Sequence, residues 1–377
     1  MLVVGASQSL LTSLAVIINQ QTLGGSHNHV AIIQSASMAG LLCSLFYMQF
    51  SQRANPVTVY TRPHVLAWLL LFFVPWAPAL AFAGLIFLSS FALHLSSPSL
   101  PVVYQTIYPK NIRGKVVAKI RQWQMAAAML AGWLCSEALE IEPDSRALFY
   151  PLLAIAGLVL TKQFSTIKMG RKDLAMASQK IGVYFRILRE DKSFLLFMIF
   201  QFLLGTCNIA GVAVLSLSVN NQQFQLLSPS DAMLVLTVLP TLAMFISFKA
   251  WGYLFDRLST VHFRALASSI IACGFFFYPF FGYWGLVIGS IVWGIGRAGG
   301  QLAWTIGILP FASPDKVRQY MAIHTFLTGL RGVVAPFLGI FLVTQQMSEK
   351  TLFLIVGFGI LCSALLTLRF VQTPETR

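Results

Sequence analysis

Apolar residues in this chain come in runs of about 20, set apart by short polar stretches. Runs of that length match the hydrocarbon thickness of a bilayer and predict membrane-spanning helices. Twelve spans fit, at residues 1–20, 29–50, 63–77, 79–107, 112–135, 146–164, 194–219, 230–254, 263–282, 284–309, 316–344 and 351–370. The third is short and closes at Pro75 and Pro78. The widest polar gap, 167–193, holds seven bases and three acids and separates six spans from six. Within it Ile181, Tyr184, Phe185 and Leu188 recur at helical spacing, with Lys180, Arg186 and Arg189 off that stripe. That arrangement predicts a basic amphipathic helix lying along the membrane surface. The pattern reads as an all-α integral membrane protein: an N-terminal six-helix bundle at 1–166, an amphipathic linker at 167–193 and a C-terminal six-helix bundle at 194–377.

Composition agrees. A chain that is 57% hydrophobic and 10% charged could not cover its surface as a soluble protein. A large α/β enzyme would need shorter apolar runs broken by charged helices. The net charge of +14 suggests nucleic acid in a soluble protein, but here the bases follow topology. Arg53, Arg62, Lys110, Arg113, Lys115, the 168–192 segment, Arg257, Arg264, Lys316, Arg318, Arg369 and Arg377 fall on one side. The opposite loops carry Glu137, Glu140, Glu142, Asp144, Asp231 and Glu349, with Arg146 and Lys350 as their bases. Cytoplasmic loops are enriched in Lys and Arg, so both termini are expected in the cytoplasm and the chain in the inner membrane. The five cysteines are scattered through apolar segments, without metal-ligand spacing or a disulfide framework. The opening segment lacks a basic lead and a cleavage site, and reads as a first span.

The two halves read as an internal repeat, which makes the bundles pseudo-symmetric. Pro109 and Arg113 match Pro314 and Arg318 at an offset of 205 residues. Arg53 matches Arg257 at 204, and Asn19-Gln20-Gln21 matches Asn221-Gln222-Gln223 at 202. In that register the seventh span, starting near Phe194, has a counterpart starting about eight residues before Met1. The expectation is therefore a chain that starts late and lacks the first turns of its first helix.

A small hydrophilic island, WGYLFDRLSTVHFR at 251–264, stands between two long apolar runs. It sets Gly252 four residues before Asp256, with Arg257 beside the acid and Arg264 after a short gap. A glycine there suits close helix approach, and the acid can pair with a base or sit at a helix N-terminus. This pattern resembles the loop between helices 2 and 3 of the major facilitator superfamily, or its mirror between helices 8 and 9. Pro109 with Arg113-Gly114, and Pro314, look like that family's loops before helices 5 and 11. The resemblance covers the whole chain. It implies a substrate cavity between the halves, alternating access by rocking of the halves, and a conformational latch at Gly252, Asp256, Arg257 and Arg264. The first-half loop departs from the pattern, with Met48 and Gln52 where the glycine and acid would fall. Helix 5 also lacks the glycine–proline signature of proton-antiporting drug exporters.

No Asp or Glu falls within a predicted span away from its ends. Proton-driven transporters commonly bury a carboxylate, because burial raises its pKa into the working range. The buried ionisable candidates here are bases. Arg297 lies thirteen residues from both Trp284 and Pro310, near the middle of its span, where a base is costly unless it faces a wet cavity or a partner. His324, Thr328 and Arg331 stand at i, i+4 and i+7 on one helix face. Arg121 and Gln124 share a face of the fifth span, although Arg121 has the reach to snorkel. His94 falls within two residues of the mirror position of Arg297 and is the candidate titrating group of the first half. Arg297, Arg331, His324, Thr328, Arg121, Gln124 and His94 are thus the candidate substrate-binding or gating residues. For Arg297 the alternative is a guanidinium that locks helix packing, and for His324 a satisfied packing histidine.

There is no phosphate-cradling loop, paired catalytic carboxylates or metal cluster, so no enzyme, cofactor or metal is expected, and no nucleic-acid partner. The reading is a transporter of a small organic solute, anionic or amphipathic, working by alternating access as a monomer in the lipid bilayer. Protons or a counter-anion are candidate coupling partners. Two alternatives stand beside it: efflux of a drug, metabolite or siderophore, and a non-transport role as a receptor or assembly partner.

Overall fold

A computed structural model describes residues 2–51, 54–167, 181–220, 226–312 and 316–371. Among these residues the regular structure is helical, without strands. The chain divides into two compact units, residues 1–178 with 227–237, and residues 179–226 with 238–377.

The first unit holds α1 (Leu2–Leu10), α2 (Ser13–Ile17), α3 (His27–Phe50), α4 (Pro56–Leu71), α5 (Ala79–Leu95), α6 (Ser99–Ile107), α7 (Lys110–Ile141) and α8 (Arg146–Ser165). In the second unit α9 (Ile181–Glu190) precedes α10 (Lys192–Ser218). Next in the chain, α11 (Pro229–Met233) packs with the first unit, and a π-helical turn (Leu234–Val238) leads out of it. The second unit then resumes with α12 (Leu239–Phe255), α13 (Thr260–Phe277), α14 (Gly282–Ile306), α15 (Val317–Thr344) and α16 (Glu349–Phe370).

Nine helical segments among the described residues are long and apolar enough to cross a membrane, and the chain is a multi-pass membrane protein. The spans predicted at 79–107, 112–135 and 284–309 fall outside that set. The first of these breaks at Ser96–Pro98 into α5 and α6, because proline removes a backbone donor and crowds the preceding turn. The other two form helices of 32 and 25 residues, but bases dilute α7, and glycines with Arg297 dilute α14.

The third predicted span starts earlier than expected. Asn55 accepts a hydrogen bond from the Val57 N–H at 2.9 Å, Pro56 occupies the first turn, and the helix runs through Pro63. A capping asparagine followed by proline is a strong helix start. The sequence expectation had placed the boundary at the second proline instead. Within the predicted linker, residues 168–180 lie outside the described set, and α9 follows. Ile187 of α9 is buried beside Phe194, Phe197 and Tyr320, while Arg186 and Glu190 pair at 3.8 Å on the exposed side.

Neutral hydrogen bonds tie the first unit together. Trp68 Nε1 of α4 donates to Thr161 Oγ1 of α8 at 3.0 Å, and the Tyr150 hydroxyl donates to the Leu10 carbonyl at 3.2 Å. In the second unit α14 packs tightly on two neighbours. A Cβ at Gly294 would lie 2.4 Å from the Pro240 carbonyl oxygen, and one at Gly296 2.7 Å from the Ile271 nitrogen. Small residues let helix backbones meet in a membrane, where dispersion rather than the hydrophobic effect drives packing.

Candidate functional site

Four helices of the second unit bring polar side chains together in its interior. Gln201 comes from α10, Arg264 from α13, and His324, Thr328 and Arg331 from α15, all of them buried. From α14 come the Gly300 carbonyl and Trp304. Each arrives for a local reason. Ser259 caps α13 by accepting from the His262 N–H, so the helix starts at Thr260 and Arg264 lies one turn inside it. The helical face predicted for α15 places His324, Thr328 and Arg331 in line. Gly205, one turn beyond Gln201, leaves room for the Arg331 guanidinium: a Cβ there would lie 2.2 Å from its Cζ.

Gln201 is the hub. Its side-chain oxygen accepts from Arg264 Nη2, and its backbone carbonyl accepts from Arg331 Nη1. Arg264 Nη1 also donates to the Gly300 carbonyl at 3.1 Å. Trp304 donates from Nε1 to Thr328 Oγ1 at 3.4 Å, and its ring lies 5.5 Å from that of His324. No Asp or Glu among the described residues is buried. The bases therefore rest on neutral oxygens, which satisfy hydrogen bonds but not charge.

Arg297 is placed differently. It is half-buried in α14 and lies over the Trp293 ring, 5.0 Å from its centroid. Trp293 is itself held by a hydrogen bond to Asn208 Oδ1 at 2.8 Å. Among the described residues Arg297 makes no ion pair. Gln301 and Trp304 follow it at i+4 and i+7, so the three share one face, with Gln301 exposed.

Comparison with known proteins decides the fold. No family model matches the sequence, and no curated protein matches it. Solved structures do match. A mutant of the nucleoside transporter NupG has 15% identity and a TM-score of 0.78, over 98% of each chain. A POT family transporter in complex with 5-aminolevulinic acid has 12% identity and a TM-score of 0.72, over 100% of this chain and 96% of that one. The inward-open xylose transporter XylE from E. coli has 12% identity and a TM-score of 0.69, over 100% and 95%. The fold is that of the major facilitator superfamily.

Within the major facilitator fold the remaining candidates lie apart from the cluster. On α7, exposed Arg121 donates from Nη1 to Oε1 of buried Gln124 at 3.3 Å. A Cβ at Gly5 would lie 2.1 Å from the Gln124 carbonyl oxygen, so α1 covers this stretch closely. His94 on α5 is half-buried, with Nδ1 2.9 Å from the Ser90 carbonyl oxygen one turn back. His64, which no sequence signal singled out, is buried with Nδ1 2.8 Å from the Tyr60 carbonyl oxygen and 3.3 Å from Ser96 Oγ.

The loop residues divide. Asp256 is exposed at the end of α12 and forms no ion pair among the described residues. Arg257 stacks on Tyr253, 4.0 Å from the ring centroid. A Cβ at Gly252 would meet open space, so this glycine makes no close helix contact. Arg264, expected with them as a loop base, is in the interior with Gln201. Gln201 itself carried no sequence signal beyond being a polar residue in an apolar run. Arg53 of the first-half loop lies outside the described residues.

Proposed function

We propose that this protein is a secondary transporter that carries a small organic solute with negative charge across the membrane by alternating access. The major facilitator fold supports the transport reading, and its structural neighbours are named as transporters of nucleosides, peptides and xylose. The sign of the charge rests on one observation. Arg297 stands near mid-span, half-buried, with an aromatic ring rather than a carboxylate against it. A guanidinium offers a planar fork of donors matched to a carboxylate or phosphate. Stacking on Trp293 holds that fork in place without consuming its donors. Thr328 and His324 meet Trp304 of α14, and Arg331 is buried further along α15 against α10.

Asp256 is the proposed acid of a cytoplasmic latch. Exposed and unpaired among the described residues, it is free to meet a base in another conformation. With no buried acid among the described residues, coupling falls to His94 or His324, or to exchange for a counter-anion. Counterflow in proteoliposomes tests the central reading. A panel of labelled organic anions should include one that accumulates, and Arg297→Gln should slow it by about tenfold or more, the worth of one charge-assisted hydrogen bond. Accumulation confined to neutral or cationic solutes, or undiminished in Arg297→Gln, would overturn it.

A further inference from the structure

We infer that the second unit contains an enclosed binding site for a small monovalent inorganic anion of halide size, formed by Gln201, Arg264, His324 and Arg331. This goes beyond the transported solute and does not rest on it. The ion is a resident one, held inside a single unit.

The unpartnered atoms carry the argument. Among the described residues, the buried side-chain nitrogens without a hydrogen-bond partner are Gln201 Nε2, Arg264 Nε, His324 Nε2 and Arg331 Nε. Every other unpartnered buried side-chain atom is a hydroxyl oxygen. All the orphaned nitrogens thus belong to one cluster, and Gln201 touches both arginines. The amide and guanidinium nitrogens are donors, and the imidazole nitrogen is one in the appropriate tautomer. What they lack is an acceptor.

Charge narrows the choice. Two guanidiniums are buried here with no buried acid among the described residues, and their acceptors are the neutral oxygens of Gln201 and Gly300. Water could accept hydrogen bonds but would leave two like charges uncompensated. An anion does both. Enclosure sets the size: the four nitrogens are shielded from solvent, which favours a bare ion over a carboxylate or phosphate carried on an organic body.

Melting of the purified full-length protein in detergent tests the site, with sodium chloride or bromide exchanged for sodium gluconate at constant ionic strength. Halide should raise the melting temperature saturably, by about 3 °C or more, because a ligand that binds only the native state stabilises it by mass action. Arg264→Gln with Arg331→Gln should abolish the dependence. Should that double variant fail to fold, radiolabelled chloride on the unmodified protein supplies the second measurement, with one ion expected per chain. Equal melting in gluconate and halide, a dependence unchanged in the double variant, or no retained label would overturn the inference. Anionic counterflow that proceeds in a protein without halide dependence sinks this site alone. Halide binding without anionic counterflow sinks the transport reading alone.

Discussion

The two units solve the burial of polar groups in opposite ways. Among the described residues the first buries mostly neutral groups and pairs most of them, leaving the hydroxyls of Ser145 and Ser230 unpartnered. Trp68 donates to Thr161, Ser89 to the Ala67 carbonyl at 2.9 Å, and Thr237 to Ser13 Oγ at 2.7 Å. The second buries Arg264 and Arg331 and leaves N–H groups of both without acceptors. Paired neutral groups cost little and rigidify a bundle. Buried like charges are expensive and persist only where something compensates them. Among the described residues, the buried guanidiniums thus lie in the second unit and not in the first.

The largest expected effect comes from the hub. Gln201→Leu removes the side-chain acceptor of Arg264 and should destabilise the protein by about 2–3 kcal/mol, read as a fall in melting temperature. A change within error would mean that the hub is incidental. A matched pair of glycine substitutions sharpens the contrast. A Cβ at Gly205 would lie 2.2 Å from the Arg331 guanidinium, and one at Gly157 2.3 Å from the Trp68 ring. Both Gly205→Ala and Gly157→Ala should cost about 1–3 kcal/mol by overpacking. Only Gly205→Ala should also alter the halide dependence of melting. Equal behaviour of the two would erase the distinction between the units.

Smaller still, Trp68→Phe keeps an aromatic ring but loses one neutral hydrogen bond and part of the buried indole volume, for about 1–2 kcal/mol. Thr161 retains its own bond to the Gly157 carbonyl at 2.8 Å, which limits the damage. The smallest effect on stability belongs to Asp256→Asn, which should leave melting unchanged because the side chain is exposed. Its readout is conformational: engineered cysteines should shift toward cytoplasmic accessibility. An unchanged labelling pattern would reduce the loop to a topological marker.

How far the sequence could reach is visible in single residues. The line of His324, Thr328 and Arg331 was legible because helical periodicity alone puts i, i+4 and i+7 on one face. Arg297 was legible because a base in the middle of an apolar run is costly and so conspicuous. Arg264 was misplaced because it follows Asp256 by one short loop, and a base near a helix start reads as a surface base. Its burial depends on which azimuth of α13 faces α10 and α14. Gly252 was assigned a packing role from its residue type, while the structure sets it against open space. Gln201 was invisible: its partners stand 63 and 130 residues away in the chain.

By itself the sequence determined nine of the twelve spans it predicts, the helical class and the preference for bases over acids in the apolar segments. These are local properties: run length against bilayer thickness, and the cost of a charge in hydrocarbon. Tertiary structure alone decided which bases meet. Bringing Gln201, Arg264 and Arg331 together requires three helices distant in sequence to share one interface, and the space that Gly205 leaves for a guanidinium exists only once α15 packs on α10. Pairing across such distances is set by the complementarity of helix faces, which no single segment encodes.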